Sequence, residues 1–364
     1  MSLRCGIIGL PNVGKSTIFN ALTALCAEAS NYPFCTIKPN VGQVVIPDER
    51  LNGIAEFIKT KKIVPATIEF VDIAGLVRGA HNGEGLGNQF LSQISEMDAL
   101  AHVIRSFQAG DVAHVEGNLD PLRDVEIVET EILLKDIELL DRFIHRQQKV
   151  AKSGDKQARQ DVQTAQQLVD ILNRNEKLRH VSLNQNQLAV VNELKLLSYK
   201  PVIYVLNISD NEDDTNTSVT SEMKEYTAKT NANIVYMRGK LEEELIQLDP
   251  ADRAEFMADL GIDELGLTIL IKETYKALRL VNFFTANKNE IHAWTIAQGT
   301  RAPQAAGKVH SDFERGFISA EVITFDDFIK YEGEHGAKEH GVARLEGKDY
   351  VVREGDIIFF HFNV

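Results

Sequence analysis

Residues 9–16 read Gly9-Leu10-Pro11-Asn12-Val13-Gly14-Lys15-Ser16, a match to G-x-x-x-x-G-K-[ST] set between an apolar run and a helical one. This setting restricts the fold more than any other stretch of the chain. Residues 3–9 have a buried-strand pattern, and residues 16–25 place Ile18, Phe19, Leu22 and Leu25 at helical spacing. A strand, a glycine-rich turn and a helix, in that order, let backbone N–H groups converge on a phosphate chain at the positive end of the helix. Lys15 then reaches the β- and γ-phosphates, and Ser16 offers its hydroxyl to Mg2+. Gly9, Asn12, Val13, Gly14 and Thr17 complete the candidate nucleotide contacts of the loop.

Further strands are predicted at 41–46, 66–71, 99–104 and 201–206, with a helix at 90–96. Strands alternating with helices imply an α/β fold with a parallel, doubly wound sheet. Between about 120 and 200 the strand patterns vanish. Leu133, Ile137, Leu140 and Ile144 follow one helical stripe, and Val162, Ala165, Val169 and Leu172 follow another. Two antiparallel helices turning near Ser153-Gly154-Asp155 account for both. After a helical stretch ending near Leu280, short β-type segments at 290–296, 316–323 and 349–362 predict a small mixed α/β unit. The expected organisation is a P-loop nucleotide-binding domain over 1–120 and 200–280, an inserted helical hairpin over 121–199, and a C-terminal domain over 281–364.

The 364 residues include 39 basic and 53 acidic side chains, a formal charge of −14, which argues against a protein coated with nucleic acid over its whole surface. The hairpin differs. Residues 142–179 hold nine basic and four acidic side chains, a local charge of +5 that suits an arm reaching a phosphate backbone. No run of 18 apolar residues exists, so no membrane partner is expected. The apolar N-terminus runs into the glycine-rich turn without a cleavage-type site and reads as a first strand, not a signal peptide. Cys5, Cys26 and Cys35 have neither metal-ligand spacing nor the density of a disulfide scaffold, and fit a reducing cytoplasm.

Asp72-Ile73-Ala74-Gly75 closes an apolar strand. Asp72 is the candidate carboxylate on the Mg2+ side, and the Gly75 N–H can meet the γ-phosphate. Between this element and the phosphate loop lies a proline-bracketed stretch, 31–40, with Thr36 placed to close on Mg2+ when a γ-phosphate is present. Guanine readers carry Asn-Lys-x-Asp after a strand. This chain has Asn207-Ile208-Ser209-Asp210, and Met237-Arg238-Gly239-Lys240 stands where Ser-Ala-Lys is usual. Both departures favour adenine, with Asn207 at the base edge and Ile208 on the ring, while the retained Asp210 leaves weaker GTP binding open.

Taken together, residues 9–17, the Asn-Tyr-Pro-Phe-Cys-Thr stretch at 31–36, Asp72 to Ala80 and the altered Asn-x-x-Asp resemble the YchF-type ATPases of the Obg-related translation-factor class. Ala293-Trp294-Thr295-Ile296 and residues 302–317 resemble that family's TGS domain, a β-grasp fold. The resemblance spans essentially the whole chain. It implies a G domain interrupted by a helical hairpin, then TGS, with ATP hydrolysed in preference to GTP and an association with the ribosome or another RNA–protein complex. The family more often has Glu where this chain has Asp210.

Small GTPases orient the attacking water with a glutamine after Asp-x-x-Gly; here Leu76 stands there, which implies slow intrinsic turnover. His81 and His114 are the candidate substitutes, since imidazole suits water orientation near neutral pH. Asn12 could hold a monovalent cation such as K+ beside the phosphates, or simply shape the loop. Cys35 neighbours Thr36 and is either a small packing residue or a point of redox control. Trp294 is expected in a core, and His335 and His340 in solvent.

Overall fold

The computed structural model describes residues 3–28, 37–38, 40–73, 86–107, 119–209 and 218–363. In chain order it runs β1 (Arg4–Ile8), α1 (Lys15–Glu28), β2 (Ile37–Lys38), β3 (Val41–Val45), α2 (Arg50–Phe57), β4 (Ile63–Val64), β5 (Thr67–Asp72), α3 (Leu86–Ser95) and β6 (Ala99–Arg105). The helical insertion follows as α4 (Pro121–Ala151), α5 (Lys156–Asn173) and α6 (Gln185–Leu194). The chain then returns through β7 (Val202–Asn207), α7 (Ser218–Thr230), β8 (Asn233–Met237), α8 (Gly239–Ile246), α9 (Pro250–Asp259) and α10 (Gly266–Ala277). Its C-terminal part is β9 (Leu280–Ala286), β10 (Ile291–Ala297), α11 (Ala302–Val309), α12 (Ser311–Arg315), β11 (Phe317–Thr324), α13 (Phe325–Lys330), α14 (Glu334–Glu339), β12 (Arg344–Glu346) and β13 (Asp356–Phe362).

Seven strands form the first sheet in the order β2-β3-β5-β1-β6-β7-β8. From β5 to β8 every neighbour is parallel, and β6 and β7 are buried at every residue, as strands covered on both faces must be. The parallel expectation fails at one edge, where β3 runs antiparallel to β5 and β2 antiparallel to β3. The reason is visible in α2. That helix packs on α13 and β10, not back across this sheet, so the connection from β3 to β5 is no right-handed crossover. Strand order diverges around β1, with β5 on one side and β6 on the other. The carboxyl end of such a strand is where α/β sheets place their ligands.

The insertion begins at Asp120, whose side chain accepts from the Arg123 N–H at 3.0 Å with Pro121 in the first turn, a well-made helix start. α4 is 31 residues long, roughly 45 Å, and α5 returns along it from the Asp155 cap. Leu140, Phe143 and Ile144 of α4 meet Ala165, Leu168 and Leu172 of α5, with Val190 and Val191 of α6 closing a separate core. Two buried polar contacts root this unit in the sheet. Arg179 pairs with Glu129, which also accepts from the Tyr204 hydroxyl of β7 at 3.0 Å. Asp136 accepts the backbone N–H groups of Leu197 and Ser198, each at 2.8 Å.

The six-stranded C-terminal sheet has the order β12-β11-β13-β9-β10-β4, so a two-residue strand from the first third of the chain forms one of its edges. Arg50 at the start of α2 reinforces the junction: it pairs with Asp48 at 2.7 Å and Glu354 at 2.5 Å and lies 5.0 Å over the Phe284 ring. Trp294 is half-buried against the core formed with α11, stacked 3.7 Å from His292 and donating to Thr285 Oγ1 at 2.9 Å. Cys5, on β1 of the first sheet, is fully buried, and that burial pushes its thiol up to about 12. No helix among the described residues is long and apolar enough to cross a membrane. The architecture is therefore an α/β P-loop NTPase fold carrying a helical insertion and a second, smaller sheet.

Candidate active site

The loop after β1 turns on backbone shapes that its sequence makes cheap. Gly9 has φ 146° and Gly14 φ 98°; a Cβ at the first would strike the Val103 carbonyl, and at the second the Asn207 side-chain amide. Asn12 has φ 63°, a left-handed value that asparagine tolerates better than most residues, and its side chain is exposed. This conformation gives Asn12 a loop-shaping reason to be present. Val13 is buried and Thr17 half-buried in the first turn of α1, which closes with Ile18 N donating to Gly14 O at 3.0 Å.

Lys15 is 8% exposed, and its Nζ donates to the Leu10 carbonyl at 2.8 Å. Burial draws its pKa down to about 8, against the opposing pull of Asp72. Ser16 is exposed, and its Oγ donates to Asp72 Oδ2 at 3.3 Å, bringing together two residues 56 positions apart. Burial raises the Asp72 carboxyl, while the Ser16 hydrogen bond and the Lys15 charge oppose that rise. A hydroxyl and a carboxylate side by side are hard oxygen donors, and they fit Mg2+. Among the described residues no group of three or more His, Cys, Asp and Glu could hold a metal alone.

Asn207 has a role within the protein that the motif did not announce. Its Nδ2 donates to the Val13 carbonyl at 3.0 Å, and its Oδ1 accepts from Gly239 N at 3.1 Å. Its oxygen and one of its two amide hydrogens are used within the protein, and the residue is 5% exposed, so it fastens the phosphate loop to the start of α8 and keeps one N–H for a ligand. Ile208 is also 5% exposed and belongs to the main core, which leaves little surface to lay on a ring. Motif position places both residues beside the base, and the register of β7 and the turn at Gly239 add contacts that the motif alone does not announce. Glu242 was missed altogether. It is buried within an acidic run and caps α10 by accepting Gly266 N at 2.9 Å and Leu267 N at 2.8 Å.

Thr36, Gly75, Leu76, His81, His114, Asp210 and Cys35 lie outside the described residues. Arg179, counted among the basic residues of the hairpin, is buried against Glu129 and offers no charge to a partner. Lys149, Lys152, Lys156 and Arg159 are exposed at the hairpin tip and make no ion pair among the described residues. A cavity of about 650 Å3 lies at the opposite, amino end of β1 and β6. Two of its three cations are already engaged: Lys200 holds the Ser95 and Met97 carbonyls, and Arg4 pairs with Glu69 and Glu96, while Lys195 is exposed at its edge. It lacks the phosphate-binding backbone present at the other end.

Comparisons with known proteins agree with this geometry. Residues 4–138 match the family described as "50S ribosome-binding GTPase", and residues 280–363 match the YchF-GTPase C-terminal family, described as a protein of unknown function (DUF933). A Haemophilus influenzae protein named "Ribosome-binding ATPase YchF" is 47% identical over 364 residues, covering 100% of both chains. The Bacillus subtilis protein of the same name is 46% identical over 366 residues, again covering 100% of each. The solved structure of the Schizosaccharomyces pombe YchF GTPase superposes with a TM-score of 0.89 at 34% identity, covering 99% of this chain and 98% of that one. Full-length identity at this level, with the phosphate loop, the helical insertion and the C-terminal sheet all in place, makes the chain a member of the YchF family of Obg-related P-loop NTPases.

Proposed function

We propose that this chain is a Mg2+-dependent nucleotide hydrolase that takes ATP in preference to GTP and acts as a slow, nucleotide-controlled switch on the ribosome. The observation that carries the reading is the Ser16–Asp72 contact of 3.3 Å beside the buried Lys15 ammonium. Loop amides and Lys15 bind the phosphates, with phosphate oxygens a stronger acceptor for the ammonium than the Leu10 carbonyl it now holds. Ser16, Thr36 and Asp72 would hold Mg2+, which supplies charge neutralisation at the phosphates. Gly75 offers its N–H to the γ-phosphate, and His81 or His114 orients the water that Leu76 cannot hold. Exposed Asn12 is the candidate ligand for K+, which faster hydrolysis in potassium than in sodium buffer would support. The relatives named ribosome-binding ATPases support both the ATP preference and the partner.

The basic hairpin tip and the TGS domain are the proposed RNA-facing surfaces, and the cytoplasm is the proposed compartment. Changing Lys149, Lys152 and Lys156 to Glu should weaken binding to ribosomes, with a smaller salt dependence left behind. A genuine GTPase is the second reading, favoured by the retained Asp210 and by the GTPase names of the N-terminal family and of the S. pombe structure. Competition of ATP against GTP on the purified chain, followed by hydrolysis with and without ribosomes, separates the two. Tighter ATP binding with ribosome-stimulated turnover supports the first; tighter GTP binding replaces it with the second.

A further inference from the structure

α9 is built unlike the other long helices of the chain: none of its ten residues is buried. Its fold is secured from its N-terminal end. Asp249 caps it by accepting the Ala251 and Asp252 N–H groups at 3.1 and 3.2 Å, and Pro250 occupies its first turn. Met257 and Ile262 rest partly buried on the main core, while Phe256 remains 53% and Leu260 40% exposed. These two lie one helical turn apart and form an apolar ridge. Asp252, Glu255 and Asp259 are exposed along the adjoining face and make no ion pair among the described residues. From 243 to 264 the chain carries eight acidic side chains against one basic.

We propose that α9 is a docking face for a cationic amphipathic protein segment, one whose apolar anchors cover Phe256 and Leu260 while its Lys or Arg side chains meet Asp252, Glu255 and Asp259. The charge selects the occupant. An RNA backbone is repelled by the same acids, whereas a basic helix with apolar residues every three or four positions satisfies ridge and rim together. This face is separate from the basic hairpin tip and lies between α8, whose first N–H is held by Asn207, and α10, capped by Glu242.

Fluorescence anisotropy of the full chain with a labelled amphipathic Leu/Lys peptide tests this. Tight, salt-sensitive binding is expected, weakened about tenfold or more both in Phe256→Ser/Leu260→Ser and in Asp252→Asn/Glu255→Gln/Asp259→Asn. The second variant changes only exposed side chains, and unchanged nucleotide binding in both shows that the fold is intact. A Leu/Glu peptide should not bind. The proposal is overturned if the wild type fails to bind the Leu/Lys peptide, or if both variants bind it as tightly as the wild type. It is likewise overturned if the variants lose binding of a uridine oligonucleotide, which would make the face an RNA surface. A sedimentation profile in which the wild type self-associates and the variants do not would reassign the face to a second copy of the chain.

Discussion

Asn207 donates its side-chain amide to the Val13 carbonyl at 3.0 Å, which fastens the end of β7 to the phosphate loop. The same amide accepts from Gly239 N, and a side chain at Gly14 would collide with it, so three segments depend on one another here. Asn207→Ala leaves a buried carbonyl and a buried N–H unpaired, at a cost of about 1–3 kcal/mol each. The expected outcome is a loss of nucleotide affinity of roughly ten- to a hundredfold that is equal for ATP and GTP. A loss confined to ATP in competition titrations would instead put Asn207 at the base.

The Arg179–Glu129 pair is almost wholly buried, and it ties the segment after α5 to α4 and, through Tyr204, to β7. Burial pushes the Glu129 carboxyl up, but Arg179 and His102 overcome this and hold it below its ordinary value. Arg179→Met should therefore lower stability by about 3 kcal/mol, because it leaves a carboxylate uncompensated. Glu129→Gln combined with Arg179→Met should recover a substantial part of that loss. Melting temperatures of the two single variants and the double variant check this; additive losses would show that the two residues are not coupled.

The contrast between these two contacts explains what could be read in advance. The phosphate loop was readable because its backbone demands particular residues: glycine at left-handed positions 9 and 14, and Lys-Ser where the helix begins. The hairpin was readable because its apolar stripes repeat over several turns. Arg179 was misjudged because a basic residue looks the same in sequence whether it faces water or a carboxylate 50 positions away. β9 was missed because it follows α10 through Arg279 at φ 50°, with no glycine or proline to mark the break. β4 is two residues long and finds its partner in β10, some 230 residues later, so no local pattern could announce it.

Asp136 makes stability depend on pH. Burial raises its carboxyl from 3.8 to about 6, although two backbone N–H groups and Lys200 favour the charged form. Between those values the folded chain holds a proton that the unfolded chain has released, so rising pH removes stability from the fold through this window. The contribution is on the order of 3 kcal/mol. Asp136→Asn cannot titrate. The stability advantage of the wild type over this variant should shrink between pH 4 and pH 7, as read from melting temperatures in matched buffers. A constant difference across that range would mean that Asp136 does not carry the proton.

Asp72 offers the sharpest test of the metal side of the site. Its carboxylate receives the Ser16 hydroxyl at 3.3 Å, so Asp72→Asn keeps an oxygen for that hydrogen bond but removes the charge that would attract Mg2+. The phosphate loop and Lys15 remain, because neither is shaped by the Asp72 carboxylate: Lys15 is held by Leu10, and the loop by Asn207. Nucleotide should consequently still bind, at an affinity near that of the wild type measured in excess EDTA. Adding Mg2+ should tighten binding by tenfold or more in the wild type and by little in the variant, about 1.4 kcal/mol of metal-linked affinity being lost. Ser16→Ala should weaken the Mg2+ response in the same direction. Titration of a fluorescent nucleotide against protein with and without Mg2+ gives both numbers, and an undiminished Mg2+ response in Asp72→Asn would exclude Asp72 from the metal site.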